Sequence, residues 1–320
     1  RRLKVQKARL EKTVAQRTIQ LTEKQNEVEA QNEELHQQSE EIMAQRDAIQ
    51  VQNATLGDTL IEVQEKNRQI TDSIRYAENI QQSILPSNER ISQLFDNYFI
   101  VYTPKDIVSG DFYWATERDG YTFLAVIDCT GHGVPGGFMS MIGNTLLNRI
   151  VKEQKVYNPK DILHELNIEV GKSLRQKTSK NSDGMDISIA RLSALENDNY
   201  EICFAGAKNH LYTFKASENY KHQIIKGTRK SIGGIYNQGA EYKEHIIRLE
   251  KDDIFLLSSD GIIDLEVAKS KRLGTKKFME LAENNIKDLE QFKLKLLETI
   301  AKSQEEFQPR DDIAVFGVKL

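Results

Sequence analysis

Four acidic positions share one grammar, each standing where an apolar, strand-like run meets a turn. They are Asp111 in VSGDFYW, Asp128 in AVIDCTGHG, Asp260 in FLLSSDGIID and Asp311, with Asp312 beside it, in QPRDDIAVF. A single carboxylate in such a place is usually a turn former or a helix cap. Four alike point to a shared task. Carboxylates gathered at one edge repel each other, burial raises that cost, and a divalent cation relieves both. There is no Cys or His cluster of the kind zinc prefers, and an all-oxygen donor set suits Mg²⁺ or Mn²⁺. A pair of such ions can turn a bound water into a nucleophile at neutral pH and neutralise charge on a phosphoryl group.

The setting of Asp128 is AVIDCTGHGVPGGFMS. The apolar run stops on the acid, a small-residue loop follows, and a helix begins. That arrangement presents a group at a sheet edge, where it can hold a metal, act as a base or cap the helix. Gly131, Gly133, Gly136 and Gly137 allow a tight turn and close packing of the helix on the sheet. His132 has two readings: a general acid whose pKa lies near working pH, or a loop residue held by a hydrogen bond.

Elements must hold these residues in place. Strand-like runs fall at Tyr98–Tyr102, Tyr121–Asp128, Met185–Leu192, Tyr200–Phe204, Leu211–Phe214, His245–Leu249, Ile254–Ser258 and Ile313–Val318. Helical runs fall at Val134–Lys152, Pro159–Gln176, Lys276–Asn285 and Leu289–Glu306. Two adjacent helices lie between two groups of strands, and turn-like links such as LENDN join the later ones. The pattern predicts an α+β sandwich with antiparallel sheets in preference to a wound parallel sheet.

The 320 residues carry a formal charge of −4, which argues against nucleic acid as a partner. The cysteines Cys129 and Cys203 lie in apolar runs and read as reduced, buried thiols of a cytosolic protein. No apolar run reaches the roughly 20 residues of a membrane span. The opening RRLKVQK, without Met, is expected of a piece of a longer protein and fits the cytoplasmic part of a membrane-anchored sensor, just inside the membrane.

Every Phe, Tyr and Trp lies at or after Tyr76, the first Pro is Pro86, and the only earlier Gly is Gly57. Such a segment cannot build a globular core alone, but it can be a long helix. Leu21, Val28, Leu35, Ile42, Ile49, Leu56, Val63, Ile70, Ala77 and Ile84 recur every seventh residue, which predicts a left-handed coiled coil. The second seam is largely polar (Gln25, Asn32, Ser39, Arg46, Asn53), which lowers stability while restricting register. A parallel homodimer able to shift is expected, either as a static rod or as a signal-transmitting helix. His36 lies in the polar stretch EELHQQSEE with no nucleotide-binding glycine boxes downstream, so a phospho-accepting kinase helix is not expected. Pro86 disfavours helix at Leu85 and sets the expected domains at 1–84 and 85–320.

SGDFYW, DCTGHGVPGG, DGMDIS, FAGA, SIGG, SSDGIID and RDDIAVF occur in the order found in the metal-dependent (PPM, type 2C) serine/threonine protein phosphatases. Over about residues 76 to 320 the chain most resembles the bacterial SpoIIE and RsbU branch of that group. The resemblance implies an α-β-β-α sandwich of two antiparallel sheets flanked by helices, with two Mn²⁺ or Mg²⁺ ions at one edge. Asp128 would bridge the ions and the backbone carbonyl of Cys129 would take the second. Asp260 and Asp311 would complete the coordination of the first ion, and Asp111 would bind that ion or hold its waters. Asp186, in DGMDIS, would serve a third ion or be a turn residue. Ala314 departs from a frequent Thr, and no arginine matches the phosphate-binding arginine of eukaryotic members; Lys105 is the candidate substitute. The implied substrate is a phosphorylated protein, such as an anti-sigma-factor antagonist. The competing expectations are a phosphatase-fold adaptor without activity and a two-aspartate nucleotide cyclase, the latter lacking a base-recognition pattern.

Overall fold

The computed structural model describes residues 2–234 and 239–320. By contact density the chain divides into two units, Arg1–Ile70 and Thr71–Leu320.

The first unit is helix. It is the larger part of α1 (Arg2–Ile84), 83 residues long. Within this unit the seven-residue apolar positions, from Leu21 (69%) to Ile70 (57%), are solvent-exposed in the single chain. An apolar stripe of this length has no partner within its own unit. Among the described residues, no helix is long and apolar enough to cross a membrane.

The second unit begins with the last turns of α1, which end at Ile84, two residues before Pro86. Ser87 then caps the short α2 (Asn88–Ser92) by accepting from the Arg90 N–H. Next come β1 (Asn97–Thr103), β2 (Phe112–Arg118), β3 (Tyr121–Cys129), α3 (Gly133–Asn148), α4 (Pro159–Ser173), β4 (Gly184–Ala194), β5 (Asn199–Ala207), β6 (Leu211–Lys215) and β7 (Lys221–Ile225). The chain closes with β8 (Ile232–Gly233), β9 (Glu244–Glu250), β10 (Ile254–Ser258), α5 (Gly261–Asp264), β11 (Glu266–Ala268), β12 (Lys271–Arg272), α6 (Gly274–Asn285), α7 (Leu289–Glu306) and β13 (Ile313–Lys319). One sheet runs β1-β13-β10-β6-β7 and the other β2-β3-β4-β5-β9, with β8 also on β4; the neighbouring strands pair antiparallel.

The period-2 pattern of the strands builds four layers. In β3, Phe123, Ala125 and Ile127 pack with Leu147 of α3, with Ile150 just after it and with Ile162 and Leu166 of α4. Leu124 and Val126, between them, face the other sheet and meet Phe255, Leu257 and Phe316. In β13 the alternation repeats: Ile313 and Val315 face Phe278 of α6 and Phe292 of α7, while Ala314 and Phe316 face inward. The result is the expected α-β-β-α sandwich of antiparallel sheets.

Five strands were not foreseen, the short β8, β11 and β12 among them. FYWATER forms β2, and KHQII forms β7 at a sheet edge, where its outward residues are polar. The helix expected over Val134–Lys152 leaves α geometry at Arg149, and its last turn, Arg149–Glu153, is π-helical. The helix expected to reach Gln176 stops at Ser173, before the left-handed Arg175 (φ 51°).

Candidate metal centre

Strand parity delivers the acids. Asp128 continues the inward set of Leu124 and Val126 and emerges where the two sheets part. The β3–β4 register sets Asp186 directly opposite Asp128. Like charges facing each other across a strand pair are destabilising, so this pairing marks a site rather than a packing solution. Asp260 follows β10, and Asp311 precedes β13, the strand beside β10. Asp128, His132, Asp186, Lys208, Ser231 and Asp311 line an open cleft of about 240 Å³. A larger cavity, about 350 Å³, lies between the end of α4 and the turn at Gly233 and Gly234, and none of these acids lines it.

The electrostatics are those of a cation site. Burial first, then the charges of Asp260, Asp311 and Asp186, push the Asp128 carboxyl up to about 8. Asp260 is the largest of the charges that act on Asp128. Asp260 is raised by desolvation of its carboxyl and next by Asp311. Asp311 is raised by desolvation, against the pull of Lys105 and His132. Asp111 is 1% exposed, and its Oδ2 accepts no hydrogen bond from the described residues. Burial and then the Asp128 charge hold its carboxyl well above the usual carboxylate range. A buried, partnerless carboxylate oxygen beside three further acids is the donor set a hard divalent ion requires. Among the described residues, no three His, Cys, Asp or Glu side chains are already arranged to hold an ion together. The acids therefore fit the cation by the chemistry of their oxygen donors.

The surrounding loops fix these donors. The Asp312 carboxylate is buried and accepts the backbone N–H of Lys105 and of Gly110, both at 2.7 Å, tying the β1–β2 loop to β13. Asp312 is thus an anchor, a role the paired acids alone did not reveal. Lys105 stands near Asp311 through that backbone tie. Gly110 and Gly136 meet backbone to backbone: a methyl group on Gly136 would collide with the Gly131 carbonyl and come within 2.7 Å of the Gly110 Cα. The Cys129 carbonyl lies on this loop side, 3.1 Å from where a Gly110 methyl would stand. Its thiol is buried and held well above its usual range, first by burial and then by Asp128, which leaves it chemically quiet. His132 is half exposed, and its Nδ1 is 2.6 Å from the Asp106 Oδ2. Asp106 was absent from the sequence reading.

One further residue reaches this loop from α1. Gln81 is the only described residue of α1 that is buried. Its Nε2 donates to the Ser109 carbonyl (2.6 Å) and to the Ser140 Oγ of α3 (2.8 Å), and its Oε1 accepts the Ser109 N–H (3.1 Å). The Ser109 Oγ in turn accepts the N–H of Asp111 at 3.0 Å.

Comparison with known proteins agrees with this fold. The family description "Stage II sporulation protein E (SpoIIE)" matches residues 118–320. The phosphoserine phosphatase RsbU of Bacillus subtilis (strain 168) is 23% identical over 260 residues, covering 79% of this chain and 71% of that protein. Among solved structures, the SiaA-PP2C domain of Pseudomonas aeruginosa has 28% identity and a TM-score of 0.69, covering 79% of this chain and 98% of its own. The PP2C phosphatase domain of SpoIIE from Bacillus subtilis, solved with a fragment of its regulatory domain, shares the fold at 18% identity and a TM-score of 0.52, covering 70% and 63%. With its two-sheet sandwich, its acids at one sheet edge and a family match over most of its length, the chain belongs to the SpoIIE family, in the RsbU/SpoIIE branch of the PP2C-type phosphatases.

Proposed function

We propose that this chain is a metal-dependent protein phosphatase that hydrolyses phosphoserine or phosphothreonine on a partner protein and is regulated through α1. The observation that carries the reading is the convergence of Asp111, Asp128, Asp260 and Asp311, all raised above the usual carboxylate range by burial and mutual repulsion. Two Mn²⁺ or Mg²⁺ ions there would supply an acidified water and positive charge against the phosphoryl oxygens. Asp128, the Cys129 carbonyl, Asp260 and Asp311 are the residues to hold them, with the free Oδ2 of Asp111 turned to the same task. His132, oriented by Asp106 through Nδ1, keeps Nε2 to give a proton to the departing serine or threonine oxygen. Lys105, near Asp311, is the candidate contact for the phosphate. The partner class that fits the family is a small phosphorylated regulator such as an anti-sigma-factor antagonist.

Phosphate release from a phosphoserine protein is expected to require Mn²⁺ or Mg²⁺ and to stop on chelation. Release that continues in chelator overturns the mechanism. Metal uptake without turnover on any phosphoprotein would instead leave a phosphatase-fold adaptor.

The exposed heptad stripe supports a parallel homodimer, since each buried apolar side chain of this size is worth about 1.5–3 kcal/mol. Leu35→Lys with Ile42→Lys is expected to convert the chain to a monomer in sedimentation measurements. A dimer that survives the double substitution assigns the contact elsewhere.

A further inference from the structure

Asp186 stands directly opposite Asp128 across the strand pair, yet its carboxylate already has a cationic partner: the Lys208 Nζ lies 3.0 Å from its Oδ2. Asp186 is mostly shielded, with a side chain 21% exposed, whereas Lys208 is half exposed and sits at the cleft mouth. Among the described side chains lining the cleft, that of Lys208 is the one lysine or arginine.

The backbone holds it there. Lys208 is a non-glycine residue in the left-handed region (φ 58°), a conformation that persists only when the surroundings impose it. They do so through the Lys208 N–H donating to the Thr228 carbonyl (2.7 Å), the Thr228 N–H donating to the Gly206 carbonyl (2.7 Å) and the Asn209 N–H donating to the Ala207 carbonyl (2.8 Å). An ordinary solvated lysine needs no such scaffold. Here the turn that ends β5 is locked so that its one long cation reaches back over β4 to the acid beside Asp128.

We infer that Lys208 is a tethered cation that neutralises Asp186 in place of a divalent ion, so that Asp186 serves Lys208 rather than a third metal and the centre takes up two ions. This rests on the metal-centre reading given under the proposed function. Lys208 is accordingly a positioning residue: it settles how many ions the acids call for and keeps Asp186 from competing for the pair at Asp128.

The test counts ions rather than turnover. The metal-free full chain is dialysed against saturating Mn²⁺ and the bound Mn²⁺ per chain is determined by electron paramagnetic resonance. Two ions are expected for the native chain and for Lys208→Arg. Lys208→Met, which keeps the stem and removes the charge, is expected to gain a third, weaker ion. Adding Asp186→Asn to Lys208→Met is expected to return the count to two, with circular dichroism melts confirming that every variant is folded. Three ions in the native chain, or an unchanged count and affinity in Lys208→Met, overturn the inference while leaving the metal centre in place. No bound ion in the native chain overturns the metal centre itself and the inference with it.

Discussion

Asp128→Asn is expected to lower phosphate release by about 10³-fold or more and, in the same protein, to raise the melting temperature of the metal-free form at pH 8. The first effect follows from the proposed function, in which this carboxylate would hold cations worth several kcal/mol of transition-state stabilisation, with each 1.36 kcal/mol a factor of ten. The second follows from the sign of the Asp128 shift. Its folded pKa, about 8, lies far above the ordinary 3.8, with burial the largest cause and the charges of Asp260, Asp311 and Asp186 next. The folded chain therefore binds this proton more tightly than the unfolded chain does. The stability linked to it is fully present below about pH 4 and is lost as pH rises through about 8.

An asparagine cannot ionise, so it sets no charge against Asp260, Asp311 and Asp186. The metal-free native protein should thus lose stability between pH 4 and pH 8, by a few kcal/mol, and divalent cation should restore it. The Asn variant should show a flatter profile and little response to the cation. For a domain of this size about 1 kcal/mol moves the melting temperature by about 2–4 °C, so scanning calorimetry with and without Mn²⁺ resolves the difference. An Asn variant that melts below the native chain at pH 8 without metal would contradict the picture of mutually repelling acids.

The second large effect is expected at Gln81. Gln81→Ala deletes one donor group and one acceptor at a buried site, strands the Ser109 N–H and the Ser109 carbonyl, and takes one donor from the Ser140 Oγ, which still donates to the Gly137 carbonyl. A buried polar group left without a partner costs about 1–3 kcal/mol, so a loss of roughly 3–5 kcal/mol is expected. The functional effect is more specific. Ser109 positions the Asp111 N–H, so loosening it should lower Mn²⁺ affinity by about 10- to 100-fold, the range seen when outer-shell partners of a metal site are removed. Amide hydrogen exchange should accelerate at Ser109–Asp111, while the association state proposed for the Leu21–Ile70 stripe should not change. Gln81→Glu keeps the acceptor for the Ser109 N–H and loses both donated bonds, so it should fall between the two. Unchanged metal affinity in Gln81→Ala, with faster exchange confined to the end of α1, would make Gln81 a packing residue alone.

The features legible in the sequence were those written as periodicity or repetition. The seven-residue spacing, the alternating strands and the four acids at strand ends each recur, and recurrence separates signal from background. Single side chains whose meaning depends on folding were not legible. Gln81 is one glutamine in a helix rich in them, and only its burial sets it apart. Lys208 and Asp106 are charged residues in loops, where charge is the default, and their partners Asp186 and His132 are 22 and 26 positions away. Asp312 was visible as a neighbour of Asp311, but strand parity turns it inward to two backbone N–H groups while Asp311 lines the cleft. The edge strand β7 escaped because KHQII buries too little to impose an alternating pattern.

The alternation of β3 carries one further consequence. Because Phe123, Ala125 and Ile127 serve the helix layer while Leu124, Val126 and Asp128 serve the space between the sheets, the number of residues between the Asp119–Gly120 turn and Asp128 is quantised. Losing or gaining a single residue there would exchange the two faces, sending the carboxylate into the apolar layer under α3 and a core aliphatic side chain into the cleft. Only changes in steps of two keep the acid at its post. Length variation in this strand is thus barred by parity before chemistry is even tested, whereas the loops at its two ends are free of that arithmetic.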